Sequence, residues 1–150
     1  LSLVASTPKL AQMGPGIEAG VWKRTLEEQG TKAWLLSDSQ KRFGPRSEQG
    51  LIEWYAAEGG KTLADVVLAL QGCLLQEDLT ALLPQIASPT LILGSAQDAI
   101  TPPEVQYLMA EQMPKARLQM FKDVGHNMKV EIPDLLASSV LDFIGELESD

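Results

Sequence analysis

Thr90-Leu91-Ile92-Leu93-Gly94-Ser95-Ala96-Gln97-Asp98-Ala99-Ile100-Thr101-Pro102-Pro103 decides the reading of this chain. The uninterrupted run from Thr90 through Leu93 is what a short strand covered on both faces needs. Gly94 permits a tight turn or a close approach, and Asp98 follows in the loop. Thr101 is placed to cap a helix over residues 103–113 that opens on proline. The same grammar recurs downstream. Arg117-Leu118-Gln119-Met120-Phe121 alternates like a strand, and Gly125-His126-Asn127-Met128-Lys129-Val130-Glu131-Ile132-Pro133 follows it, carrying the chain's single histidine.

Working outward, residues 133–148 form a closing helix with Leu135, Leu136, Val140, Phe143, Ile144 and Leu147 on one apolar face. Leu1-Ser2-Leu3-Val4-Ala5 reads as an opening strand, followed by a turn-rich stretch that includes Gly14-Pro15-Gly16. Helices are then expected over residues 17–29, ended by Gly30, over residues 31–39, and over residues 48–58. A fourth, over residues 62–75, carries Leu63, Val66, Val67, Leu70 and Leu74 at helical spacing and is expected to be buried. Strands alternating with helices imply an α/β fold whose three strands are parallel and joined by right-handed crossovers. Residues 1–13 and 86–150 make the sheet layer in this reading, and residues 14–85 form an inserted helical cap.

Composition narrows the function. A 150-residue chain with 45% apolar and 21% charged residues has the balance of an ordinary folded domain. Its formal net charge of −8 speaks against a nucleic-acid partner, which needs clustered cations. No apolar run approaches the ~20 residues that span a bilayer, so no membrane partner is expected and a cytoplasmic location is. One cysteine and one histidine exclude an intrachain disulfide and the usual zinc frameworks, so no metal and no cofactor are expected. Cys73, on the apolar helix, reads as a small buried hydrophobe.

In a parallel sheet, reactive groups gather beyond the carboxyl ends of the strands. Asp98 and His126 each follow one. A neutral imidazole that must take a proton from a weak nucleophile needs a carboxylate on its other nitrogen, to fix the tautomer and stabilise the imidazolium. Each residue also has a plainer reading. Asp98-Ala99-Ile100-Thr101 would make a good Asx-turn, and a lone histidine is more often structural than catalytic. Their joint occurrence after successive strands favours the catalytic pair.

These residues carry a resemblance. From Pro89 to Ile144 the chain resembles the C-terminal part of an α/β-hydrolase: apolar strand, Gly-x-x-x-Asp-x-x-Thr-Pro-Pro, helix, strand, Gly-His, then Glu-x-Pro opening a long final helix. Trp22-Lys23-Arg24, Gly30, Phe43, Asp78-Leu79, Leu82-Leu83 and Ile86-Ala87-Ser88-Pro89-Thr90 are similar to the cap and cap exit of 3-oxoadipate enol-lactonases and related small esterases. The resemblance implies an acyl-serine hydrolase of carboxylic esters or enol-lactones, with Asp98 the triad acid, His126 the base, and Trp54 and Met128 the best candidates for substrate contact. Glu131 is expected to serve the start of the last helix, where an acidic residue suits the macrodipole.

The departure from the family is the nucleophile. No Gly-x-Ser-x-Gly occurs, and none of Ser37, Ser39, Ser47 and Ser95 has the flanking glycines of an elbow. The expectation is therefore the C-terminal portion of a capped hydrolase, inactive alone. Its partner would be the missing N-terminal half, or a second copy paired through Leu1-Ser2-Leu3-Val4-Ala5. The alternatives are another enzyme of the fold, such as a carbon–carbon bond hydrolase, haloperoxidase or dehalogenase, and a non-catalytic binding protein.

Overall fold

The computed structural model of the protein describes residues 1–10 and 18–149; the expected turn at Gly14-Pro15-Gly16 and the first residue of the first expected helix, Ile17, lie outside them. Three strands, β1 (Ser2–Val4), β2 (Thr90–Ser95) and β3 (Ala116–Phe121), form one parallel sheet in the order β1-β2-β3. Leu3 pairs with Ile92, and Ile92 with Leu118. Between β1 and β2 come α1 (Ala19–Ser37), α2 (Ser39–Arg42), α3 (Gln49–Gly59), α4 (Ala64–Leu74) and a 3-10 helix over Thr80–Gln85. After β2, α5 (Pro103–Gln112) crosses to β3, and α6 (Met128–Glu131) leads into α7 (Pro133–Ser149).

The central strand is covered on both faces, as its apolar run requires. Leu91, Ile92 and Leu93 have no exposed surface. Strand alternation sends Leu91 and Leu93 to one face, where they meet Val124, Met128 and Phe143, while Ile92 meets Leu83, Met109 and Met113 on the other. Each such side chain contributes about 1.5–3 kcal/mol on burial. A third cluster joins the helical block to the loop after β2: Trp22, Leu26, Trp34, Leu35 and Ala56 pack with Ile100.

The two helices expected either side of Gly30 are both present within α1, separated by a sharp kink at that residue. Gly30 breaks α1 with φ at 81° and ψ at 177°, a conformation open to glycine and strained for any other residue. Elsewhere the structure corrects the sequence. α4 has no fully buried residue: Val67 packs with Ala64 and Leu68 against the Trp22 cluster, but Leu63, Val66, Leu70 and Leu74 are exposed, so the expected apolar face is only partly covered. Cys73 is exposed with it. In α7, Phe143 is buried and Leu136 and Val140 pack on the sheet layer, but Leu135, Ile144 and Leu147 face outward. Gly94 lies inside β2 rather than in a turn; a Cβ there would meet Met120 Sδ at 2.6 Å and Gln106 Cγ at 2.9 Å. Among the described residues, no helix is long and apolar enough to cross a membrane.

Candidate active site

Because β2 and β3 are parallel neighbours, paired to their last residues Ser95 and Phe121, their exit loops leave the same edge of the sheet. Two contacts hold those loops together. Ala96 N–H donates to the Phe121 carbonyl at 2.9 Å, and Ser95 Oγ–H donates to the Val124 carbonyl. Asp98 and His126 meet beyond them.

His126 Nδ1 lies 2.9 Å from Asp98 Oδ2. Asp98 is 3% exposed, and its carboxylate is surrounded by donors. Oδ1 accepts the backbone N–H groups of Ile100 and Thr101, both at 2.8 Å. Oδ2 accepts the Thr101 hydroxyl at 2.7 Å, and that hydroxyl oxygen also lies 3.5 Å from His126 Nδ1. The Asx-turn is formed through Oδ1, and Oδ2 is left to face the imidazole. Thr101 differs from its expected role. Pro102 caps α5 instead, and the Thr101 side chain is turned to the carboxylate.

His126 is anchored through its neighbours. Gly125 N–H donates to Glu131 Oε1 at 3.0 Å, and Asn127 N–H donates to the Arg42 carbonyl at 3.0 Å. The imidazole keeps 23% of its side-chain surface exposed. With Nδ1 committed to Asp98, Nε2 is the nitrogen available to take a proton.

Trp54 and Met128 are not brought together. Trp54 is 54% exposed on α3, whereas Met128, although two residues from the base, is fully buried against Leu91, Leu93, Val124 and Phe143. A cleft of about 550 Å³ lies beside Glu131, bordered by Ser47, Leu51, Phe121 and Ile132. Another of about 350 Å³ reaches Gln97 from Phe43, Pro45 and Ile52. Asp98, His126, Trp54 and Met128 line neither. Ser95, the serine nearest the acid in sequence, is fully buried, with its hydroxyl turned to Val124.

Of three residues in the surroundings, Gln106 and Arg42 carried no expectation, and Glu131 has a different role from the one expected. Glu131 sits at the end of α6 and accepts hydrogen bonds from the Gly125 and Gly44 backbones and from Ser47, so loop anchoring, rather than a helix dipole, explains it. Gln106 Nε2 donates to the Ser6 carbonyl at 2.8 Å, tying the exit of β1 to α5. Arg42 is 5% exposed, its guanidinium 5.0 Å from the Trp22 ring centre and 4.4 Å from that of Trp34. Burial pushes its pKa below the ordinary value, while Tyr55, Asp38 and Asp98 act in the opposite direction. The sequence signals for Glu131 were its spacing after Gly-His and its place in Glu-x-Pro, neither of which points to Gly44 or Ser47; a buried arginine in a helical block gives none.

Comparison with known proteins agrees with this architecture. The alpha/beta hydrolase fold family matches residues 11–133. A curated relative from Mycobacterium tuberculosis, named "Putative non-heme bromoperoxidase BpoC", is 31% identical over 64 residues, covering 43% of this chain and 24% of that protein. Among solved structures, an esterase from Exiguobacterium antarcticum superposes with a TM-score of 0.83 at 21% identity, over 97% of this chain and 56% of that one. The enol-lactonase of Burkholderia xenovorans LB400 gives 0.83 at 18% identity, over 96% and 55%. The chain thus spans about a quarter of the curated relative and little more than half of the solved structures. A family match across most of the sequence, on a parallel sheet that brings an aspartate and a histidine to one edge, places this chain in the α/β-hydrolase fold family.

Proposed function

We propose that this chain supplies the acid and base of a serine-type hydrolase of carboxylic esters or enol-lactones, and that the nucleophile comes from outside these 150 residues. The observation that carries the reading is the 2.9 Å contact between His126 Nδ1 and a buried Asp98. In the mechanism, His126 Nε2 takes the proton of a serine hydroxyl as its oxygen attacks the acyl carbonyl. The tetrahedral adduct collapses, and the imidazolium returns that proton to the departing alcohol or enol oxygen. Water then attacks the acyl-serine, His126 takes a water proton, and collapse returns it to the serine and frees the carboxylic acid. Asp98 holds the tautomer and stabilises the imidazolium throughout. The helical block between β1 and β2 caps the site in this account. The edge of β1 not paired to β2 receives either the nucleophile-bearing polypeptide or a second copy.

Esterase and enol-lactonase structures among the neighbours agree with the substrate class. The bromoperoxidase-named relative favours a second reading, in which the same dyad serves a haloperoxidase. Fusing this chain behind the portion of the Exiguobacterium esterase that it does not span tests the first. The unfused chain is expected to show no His126-dependent turnover of p-nitrophenyl acetate, and the fusion is expected to show turnover that His126→Ala abolishes. His126-dependent turnover without the fusion would overturn the external nucleophile. Fusion turnover that survives His126→Ala would overturn the role of the base. Peroxide-dependent bromination by the fusion, without ester hydrolysis, would favour the second reading.

A further inference from the structure

Glu131 makes more contacts than the end of a four-residue helix requires. Its Oε2 accepts Gly44 N–H at 2.7 Å and the Ser47 hydroxyl at 2.8 Å, and lies 3.2 Å from Gly125 N, which is 3.0 Å from Oε1 and donates to both oxygens. One carboxylate thus joins a turn of the helical block, between α2 and α3, to the residue immediately before His126. The residue immediately after is joined to the same block, through Asn127 N–H and the Arg42 carbonyl.

Here the two backbones lie in contact. A Cβ on Gly44 would stand 2.5 Å from the Asp123 carbonyl oxygen, and one on Gly125 would stand 2.5 Å from the Phe43 carbonyl carbon. Only glycine at both positions allows this approach. Gly44 and Gly125 are buried, and their two backbone N–H groups need acceptors. The approach of the backbones buries these donors, and Glu131 satisfies them.

We propose that Glu131 is a positioning residue that makes the aim of His126 depend on the docking of residues 42–47, so that the helical block and the general base move as one unit. It touches no reacting atom and acts through the backbone of Gly125. The inference rests on His126 being the base, but its test needs no turnover and so fails independently of that reading.

Because the chain has a single histidine, its ring signals in NMR spectra belong to His126 alone. In the full chain, Glu131→Ala is expected to shift those signals and to lower amide protection at Gly44 and Gly125 by about tenfold or more. Protection in β2 and β3 is expected to stay unchanged. Glu131→Gln, which keeps one acceptor oxygen, is expected to restore part of the shift. Ser47→Ala removes a bond on the far side of the carboxylate and is expected to move the His126 signals in the same direction by a smaller amount. Unmoved His126 signals in a folded Glu131→Ala chain would overturn the proposal. If that variant does not fold, Ser47→Ala and Glu131→Gln decide it: His126 signals unchanged in both would overturn the coupling.

Discussion

Asp98 and Thr101 are joined twice within one turn: the Thr101 amide binds Oδ1 at 2.8 Å and its hydroxyl binds Oδ2 at 2.7 Å, the oxygen that also lies 2.9 Å from His126 Nδ1. The turn thus holds the carboxylate through both oxygens, and Oδ2 faces His126 while Oδ1 is held by the backbone.

Thr101→Val keeps the shape and removes the hydroxyl. A hydrogen bond to a charged group contributes about 1.5–3 kcal/mol, so a loss of stability in that range is expected by urea denaturation. The His126–Asp98 contact should persist, since the backbone bonds to Oδ1 remain.

Asp98→Asn is the harsher change. The amide cannot accept from all four donors now around the carboxylate, and a destabilisation of about 1–3 kcal/mol is expected. In the esterase fusion, the wrong imidazole tautomer should lower kcat by about 10⁴-fold, while KM changes little.

Much of this was legible in the sequence, and the reasons differ by element. The run Thr90-Leu91-Ile92-Leu93 announced a strand covered on both faces because Leu91, Ile92 and Leu93 are apolar in succession, without the polar alternation of a strand that has one wet face. Asp98 and His126 were legible because a parallel sheet brings successive strand exits to one edge. Contacts between distant segments were not legible. Nothing in Gly44 or Ser47 announces a bond to Glu131, and α4's spacing gave its helical form without revealing that Leu63, Val66, Leu70 and Leu74 face outward.

Arg42→Lys tests the buried cation. A planar guanidinium stacks against Trp22 and Trp34 in a way a lysine ammonium does not, so a loss of about 1–2 kcal/mol is expected. Thermal melts followed by tryptophan fluorescence read it, and an unchanged melting temperature would show that the stacking is neutral.

Asp78 gives a pH dependence. Hydrogen bonds from Lys9 and Thr80 lower its pKa from 3.8 to about 2. A carboxyl with a depressed folded pKa stabilises the fold above its unfolded pKa, and that contribution is lost as pH falls through the folded value. Acid denaturation of Asp78→Asn should therefore lack a small component between pH 4 and 2 that the parent shows. Because the pair is exposed, salt should shrink the difference.

The unpaired edge of β1 and the apolar groove beside it make self-association an expected outcome. β1 pairs only with β2 among the described residues, and Val4 borders an apolar groove with Leu136, Val140 and Leu141. Light scattering should show concentration-dependent self-association, weakened by Leu3→Lys at the edge strand. A monodisperse monomer across the concentration range would contradict it.

The central claim, that Asp98 holds the His126 proton on Nδ1 and leaves Nε2 to act as the base, is tested most directly by long-range nitrogen–proton NMR of the single histidine in the neutral form. The account predicts a protonated Nδ1 and an unprotonated Nε2, with that pattern lost in Asp98→Asn. A proton resident on Nε2, or a pattern indifferent to Asp98→Asn, would contradict it.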